Sequence, residues 1–489
     1  MLNTTAPSRR SRSPQNRRVP RRKRVQARSV TAGRPRGSRS RPGWLAQRME
    51  RKSESKLARR VRRSYKALQR ETLTLVSERE VEELARQCGF YRRSPKEIKA
   101  FDFALCCALA AVVEGKRGFA SVWRLLAAAA GIEVARSAVT QRFGEGSALL
   151  MEELFHRAAE RLNSGPHPEL LSKLEQFREV LAHDGSVLTL SPLLKKLFPA
   201  TRTNSVDAAG KLHATADLIH RRIVRVAITG ERDSELDVAR ALPIEADTLY
   251  INDLGYTSYD YFADIKSAGA HLLMRLKDNA NPTIVAVRHG VHAPVRSIRD
   301  GKGLSDPDLR FTKCDDTFDV DARFRTKTGS VNLRVVGCYN HETQKYHCYV
   351  TTLAPDDFTA DELAALYSLR WVIELLFKLL KSSCHLDHVD TGNPAALRTH
   401  IYASLLAATI LATMCHAAAV VHNLPYYAIS PLTAGIAAPL LVLPLLFLWF
   451  GRPLLPEEMA DCILRVLAVG CLDQNPSRTH QKWGVLGTD

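Results

Sequence analysis

The sequence predicts an α/β chain: a mixed sheet with helices, interrupted by a β-rich insertion, with an N-terminal helical domain before it and a C-terminal helical bundle after it. Three observations predict this. β-rich and helical runs alternate between residues 175 and 280, four more β-rich runs follow at 281–355, and Ala- and Leu-rich helical patterning fills 66–165 and 396–475. At 489 residues the chain is long enough for several such units.

Residues 1–65 read as an arm outside that core. The chain carries +19 overall, from 70 Lys and Arg against 51 Asp and Glu. Residues 1–63 hold 22 of the basic residues and two acidic ones, Glu50 and Glu54, so the remainder balances at 48 against 49. This segment is rich in Arg, Ser and Pro and almost without apolar periodicity, a composition expected to stay disordered in isolation. It suits a nonspecific phosphate-binding tail, whose affinity falls steeply with salt. Two other readings stay open: sequence lying ahead of a start at Met49, and a transit peptide. A secretory signal lacks its apolar core here.

In the helical domain at 66–165, Trp123 to Gly131 and Ser137 to Phe143 read as two helices around a turn. Ser137 is placed to cap the second, which exposes Arg136, Thr140, Gln141 and Arg142 for groove or phosphate contact. An ordinary helical hairpin fits the alanine run equally well.

The first part of the core, 175–280, opens with Val180 to Leu188, apolar on both sides of Asp184 as a buried strand would be. Lys211 to Ile219 and Arg222 to Thr229 form a predicted hairpin, and Ser234 caps a helix running to Leu242. Thr248 to Tyr256 reads as a short strand ending at Asp253 and a glycine turn, followed by a helix near Ser258 to Ala268 and a strand from His271 to Leu276. Taken alone, Asp184 and Asp253 are ordinary strand-edge or turn residues. The insertion then supplies Thr283 to Val287, Phe318 to Phe324, Val331 to Tyr339 and Tyr346 to Thr352 as strands.

The second part of the core, 356–395, holds Tyr367 to Lys381, which predicts one amphipathic helix. At about 100° per residue, Tyr367, Arg370, Glu374 and Lys381 fall within a stripe about 60° wide. Leu366, Leu369, Ile373, Phe377 and Leu380 fill the adjoining face and predict packing on a core. A solvated charged face explains the stripe as readily as a site does.

The spacing from Tyr367 through Arg370 and Glu374 to Lys381, with Trp371 and Ile373 inside it, resembles the YREK signature of insertion-sequence transposases of the IS-four type. The resemblance implies an RNase H-like catalytic domain in which Asp184, Asp253 and Glu374 form a DDE triad, both catalytic and metal-binding. It implies two Mg²⁺ ions, with Mn²⁺ able to substitute, serving cleavage of element ends and strand transfer into target DNA. Arg370 and Lys381 are then expected to hold DNA phosphate and Tyr367 to hydrogen-bond near the cut, while Arg136, Ser137, Gln141 and Arg142 contact the inverted-repeat ends. A homodimer in a synaptic complex, associated with the nucleoid in a bacterial cytoplasm, is the implied setting. A noncatalytic DNA-binding regulator derived from such an enzyme is the other class; the presence of all three acids favours the enzyme. Some relatives hold a flipped base with a tryptophan in the insertion, but no Trp lies between Asp253 and Tyr367, which leaves Phe311, Phe318 or Phe324 to stack instead.

Ten Cys without paired spacing read as reduced thiols. Cys384, His385 and His388 crowd together, yet neighbours in sequence do not readily point at one ion. Leu432 to Phe450 is nineteen residues without a charge, long enough to cross a membrane, but Pro439 and Pro444 interrupt it and Gly435 weakens it. A buried helical cap is the expectation, with no membrane. Residues 476–489 read as a tail.

Overall fold

The computed structural model describes residues 59–449 and Leu464, apart from residues 61, 69, 73, 92–96, 114–117, 163–170, 202–205, 293–300, 307–309, 312–316, 343, 388 and 425–427. The basic arm up to residue 58, the tail at 476–489 and His388 therefore lie outside the described residues.

Among the described residues, the main helices before the sheet are α1 (Glu78–Gln87), α2 (Ala100–Val113), α3 (Phe119–Leu125), α4 (Arg136–Thr140) and α5 (Glu145–Arg161). Next come β1 (Glu179–Leu190), β2 (Ala208–Asp217), β3 (Arg222–Gly230), α6 (Glu235–Ala241), β4 (Thr248–Asn252), α7 (Tyr259–Ser267) and β5 (His271–Arg275). The caps on α6 and α7 are those the residues suggest. Ser234 accepts from Asp237 N and Ser258 from Tyr261 N, each satisfying an amide that a helix start leaves without an intrahelical partner.

The segment read as an insertion contains β6 (Thr283–His289), the short ribbon β7 (Val291–His292) with β8 (Arg310–Phe311), then β9 (Thr317–Arg325), β10 (Ser330–Asn340) and β11 (Lys345–Thr351). Apart from the ribbon these strands form no sheet of their own. One nine-stranded mixed sheet runs in the order β3-β2-β1-β4-β5-β11-β10-β9-β6. Within it β1, β4 and β5 are parallel neighbours, and β11 joins β5 antiparallel. Without β11 that edge of β5 would show unpaired backbone groups. Arg334 on β10 is buried, forks onto Asp319 of β9 at 2.7 and 3.0 Å, and donates through Nη1 to the carbonyls of Leu353 and Phe358. One guanidinium thereby ties two strands to the turn that follows them.

Strand alternation divides the core in two. Val180, Ala182, Leu249, Ile251 and Leu273 belong to a cluster that includes Leu366, Leu369, Ile373, Phe377 and Leu380. Leu181, Tyr250, Leu272 and Met274 belong to the other, with Tyr261 and Phe262 of α7. The predicted apolar face of the signature segment is thus buried, against the first face of the sheet.

That segment is not one helix. α8 (Ala360–Tyr367) gives way to a 3₁₀ turn at Ser368–Arg370 before α9 (Trp371–Ser382) resumes. Ser368 Oγ donates to the Ala365 carbonyl at 2.6 Å, a side-chain bond that competes with the backbone ladder at this joint. Behind it α10 (Pro394–His422) is long and apolar enough to cross a membrane, yet 89% of its most apolar window is buried inside the fold. α5 lies along α10, joined by Ser147 to Thr399 at 3.0 Å and by Arg398 to Glu145 and Glu152.

The last helix, α11 (Pro431–Trp449), runs past both Pro439 and Pro444. Among its described side chains Ala434, Ala438, Leu441, Val442 and Leu445 are buried while Ile436 and Leu440 are 72% and 76% exposed, so the expected buried cap is half covered there. Gly435 is a close approach, not a weak point: a Cβ there would lie 2.5 Å from Leu379 Cδ1 and 2.6 Å from Ser383 Oγ.

Candidate active site

The two aspartates meet through strand register. β1 and β4 pair in parallel with Glu179 opposite Thr248, Val180 opposite Leu249 and Leu181 opposite Tyr250, an offset of 69. The same offset sets Asp184 beside Asp253, since 253 − 184 = 69. The strands stay tied up to that level, where His183 N donates to Asn252 Oδ1 at 2.8 Å. Both acids continue the alternation of Val180 with Ala182 and of Leu249 with Ile251, so they project on the face that packs against α9.

Backbone amides fix each carboxylate. Gly185 N donates to Asp184 Oδ1 at 2.8 Å, and Gly255 N donates to Asp253 Oδ1 at 2.6 Å where Asp253 caps the 3₁₀ turn Leu254–Tyr256. His183, between them and the other core, bonds Thr215 Oγ1 at 2.9 Å through Nδ1 and stacks on Tyr250. Burial, with Arg225 adding, holds its pKa down to about 4, so it is a neutral clip at pH 7.

Glu374 comes from the first turn of α9. Its Oε1 accepts from Arg370 Nη2 at 2.5 Å, and the Arg370 guanidinium sits 5.8 Å from the Tyr367 ring. Tyr367 in turn packs on Tyr349 at 5.0 Å. Lys381 Nζ donates to the Val187 carbonyl of β1 at 2.8 Å, anchoring the far end of α9 three residues beyond Asp184. Electrostatics link these parts. Burial raises Asp184 to about 6, with Asp253 and Glu235 pushing the same way and the Gly185 amide and Arg370 opposing. Burial also raises Tyr367, which feels Arg370 and Asp253. The structure therefore gathers Asp184, Asp253, Glu374, Arg370 and Tyr367 into one neighbourhood, with Lys381 at its margin.

Three carboxylates are the hard oxygen donors that Mg²⁺ prefers, and a half-buried Asp184 that feels Asp253 and Glu235 gains from a cation. Among the described residues, however, no three His, Cys, Asp or Glu side chains stand together closely enough to enclose an ion. The Glu374 carboxylate is instead engaged by Arg370.

Glu235 was not foreseen. It opens α6, pairs with Lys211 at 3.4 Å, and lines a small cavity with Asp184, His183, Thr215 and Tyr256. A Cβ on Gly185 would lie 2.7 Å from its carboxyl group, so glycine after Asp184 makes room for this fourth acid. In sequence Glu235 looks only like an acidic first-turn residue behind the Ser234 cap.

The expected end-recognition residues sit on α4 and in the turn after it, and α4 packs against α3. Ser137 does not cap it: the cap position is Ala135, with no side-chain bond, and Ser137 is the second helical residue. The cause is upstream, because α3 runs on into a π-helical turn, Leu126–Ala130, and stops at Gly131 with φ 69°, leaving four extended residues before α4. Arg136, Ser137, Thr140 and Gln141 are exposed, while the Arg142 guanidinium lies 5.4 Å from the Phe90 ring. Phe318 and Phe324 are fully buried and so cannot stack on a base as expected. The side chain of Phe311 lies outside the described residues.

Residues 175–410 match the family model of the transposase DDE domain. The chain is 40% identical over 78 residues to the transposase for insertion sequence element IS421 of Escherichia coli, covering 16% of this chain and 21% of that protein. It is 21% identical over 359 residues to the transposase for IS231F of Bacillus thuringiensis subsp. israelensis, covering 67% of this chain and 75% of that one. The match to the transposase for IS1151 of Clostridium perfringens is 20% over 323 residues, 58% and 66% of the two chains. Against the IS421 protein, then, the chain spans about a fifth of its relative's length. Among solved structures, a piggyBac transposase synaptic complex with hairpin DNA aligns at a TM-score of 0.40 and 10% identity over 84% of this chain and 86% of that one.

Proposed function

We propose, from the premise that this chain belongs to the DDE transposases of insertion sequences, that it binds the inverted-repeat ends of an element, cleaves the phosphodiester there, and transfers the freed strand into target DNA. The observation that carries the reading is the register that sets Asp184 beside Asp253 on the face packed against the helix of Glu374. The core order β3-β2-β1-β4-β5, with the first acid on the central strand, supports an RNase H-like arrangement.

Asp184, Asp253 and Glu374 are the residues that would hold two Mg²⁺ ions, or Mn²⁺ in their place. When bound, such a pair activates the attacking water or 3′-hydroxyl and stabilises the leaving oxygen of an in-line displacement. The chain's own groups orient and exclude. The Gly185 and Gly255 amides fix the two aspartates, and Arg370 presents a planar fork suited to a phosphate beside the acids. Lys381 pins α9 to β1 through Val187 and keeps a positive charge at the strand end. The exposed Arg136, Ser137 and Gln141, with Arg142 beside them, are assigned to end recognition. A homodimer holding both ends, associated with the nucleoid in a bacterial cytoplasm, completes the reading.

The test uses the unsubstituted full chain, DNA carrying the sequences that flank its own gene, and Mg²⁺. Asp184→Ala, Asp253→Ala and Glu374→Ala are each expected to abolish cutting while retaining binding. Undiminished cutting in all three overturns the assignment. Binding without cutting by the unsubstituted chain assigns it to the noncatalytic regulators instead.

A further inference from the structure

We infer that Arg275 is a phosphate-binding residue of this same acid site, paired across two tyrosines with Arg370 to seat a phosphate of the bound DNA strand. The inference rests on the transposase reading and adds to it a residue that lies outside the signature segment.

The placement follows from register. β4 and β5 pair in parallel with Leu249 opposite His271 and Asn252 opposite Met274, an offset of 22. One residue on, Arg275 stands beside Asp253, since 275 − 253 = 22. On its other side Arg275 is the register partner of Tyr349 on β11. Asp184, Asp253, Arg275 and Tyr349 therefore form a row across four adjacent strands. They share the face of Leu273 and Ile251, under α8 and α9. The Tyr349 ring meets Tyr367, and Tyr367 meets the Arg370 guanidinium. Two arginines thus flank one tyrosine pair, immediately beside the second acid.

The chemistry of Arg275 is unfinished. Its Nε is buried, and among the described residues neither Nε nor the rest of the guanidinium has a hydrogen-bond or ion-pair partner. Arg370 Nε is buried and lacks a partner among the described residues too, although its Nη2 holds Glu374. A buried donor without an acceptor is costly, and the cost is relieved when a ligand brings the acceptor. A guanidinium fork matches the paired oxygens of a phosphate, and a fork beside the second acid matches a strand that must be gripped next to the bond to be cut. Burial keeps the Tyr349 phenol protonated, so its hydroxyl is a donor as well. Arg275, Arg370 and the Tyr349 hydroxyl all offer hydrogens on this side of Asp253, as an anionic strand requires.

Two measurements test this, both on the full chain with duplex DNA carrying the sequences that flank its gene. In the first, binding is followed against salt. Arg275→Ala is expected to lower the slope of log K against log salt by about 0.9, with Arg275→Lys close to the unsubstituted chain. In the second, the unsubstituted chain is treated with phenylglyoxal with and without DNA and its arginines are mapped by mass spectrometry, with Arg275 expected to be protected by DNA. This second arm holds even if the alanine variant does not fold. Equal modification of Arg275 with and without DNA, while the chain still binds and cuts, overturns this inference alone. An unsubstituted chain that neither binds nor cuts the DNA overturns the transposase reading together with it.

Discussion

Glu374 accepts a hydrogen bond from Arg370, one helical turn before it, with side-chain exposures of 31% and 17%. The third acid of the site is thus already committed to a cation of its own chain. A metal ion held as proposed by Asp184 and Asp253 would have to compete for that carboxylate, and it would also feel the guanidinium charge.

Removing the competitor should therefore separate metal binding from catalysis. Arg370→Ala is expected to tighten Mn²⁺ binding several-fold by calorimetry at pH 8, because it frees Glu374 and deletes a nearby positive charge. On the proposed function, cutting of end DNA should fall about 10- to 100-fold, since the phosphate contact proposed for Arg370 is lost with it. Metal affinity that weakens along with activity would show that Arg370 orients Glu374 for the ion instead of occupying it.

Asp184 gives a pH signature in the metal-free protein. Its folded pKa is raised to about 6 from an ordinary 3.8, chiefly by burial, with Asp253 and Glu235 adding. A raised folded pKa means the native state favours the protonated acid. The associated stability is present in full below the ordinary value and is lost as pH climbs through about 6. Asp184→Asn cannot ionise and does not suffer that loss. The variant should thus melt above the unsubstituted chain at pH 7, by on the order of 2–3 kcal/mol, and the gap should shrink towards pH 4. Melting curves at several pH values with chelator present decide it. A gap that does not change between pH 4 and 7 would mean the acid is not the source.

How far the site could be read from residues alone depends on which physical signal marks each one. The apolar spacing from Leu366 to Leu380 fixes a face, and that face is buried, because a helix in a core has one way to hide such a stripe. The strands around Asp184 and Asp253 were visible as apolar runs, and all four long strands at 283–351 fall within two residues of their expected bounds. What spacing could not supply was pairing across the sheet. Register brings Arg275 beside Asp253 from 22 residues away, and helix packing brings Glu235 over Gly185 from 50 residues away. Neither residue carries a local pattern, so neither could be marked. The joint at Ser368–Arg370 is not legible for the opposite reason: helical propensity is continuous there, and what marks the joint is one serine side-chain bond to the Ala365 carbonyl. Ser137 looked like a cap because serine is a good one, but Gly131 sets where the previous helix ends and Ala135 falls at the cap position.

Gly435 couples the last helix to the acid site without touching it. A Cβ there would come within 2.5 Å of Leu379 Cδ1 and 2.6 Å of Ser383 Oγ, at the C-terminal end of the helix whose first turn carries Glu374. Leu379 is buried, so its side chain has little room to yield, and a larger residue must push α9 or α11 outward. Gly435→Val is expected to cost roughly 1–3 kcal/mol, read as a lower denaturation midpoint. Because Lys381 ties the same end of α9 to Val187, the displacement should reach β1 and weaken cutting more than it weakens DNA binding. Gly435→Ala should show the same signs at smaller size. A Gly435→Val chain with unchanged midpoint and unchanged cutting would show that α11 can move away freely and that the site does not depend on its seat.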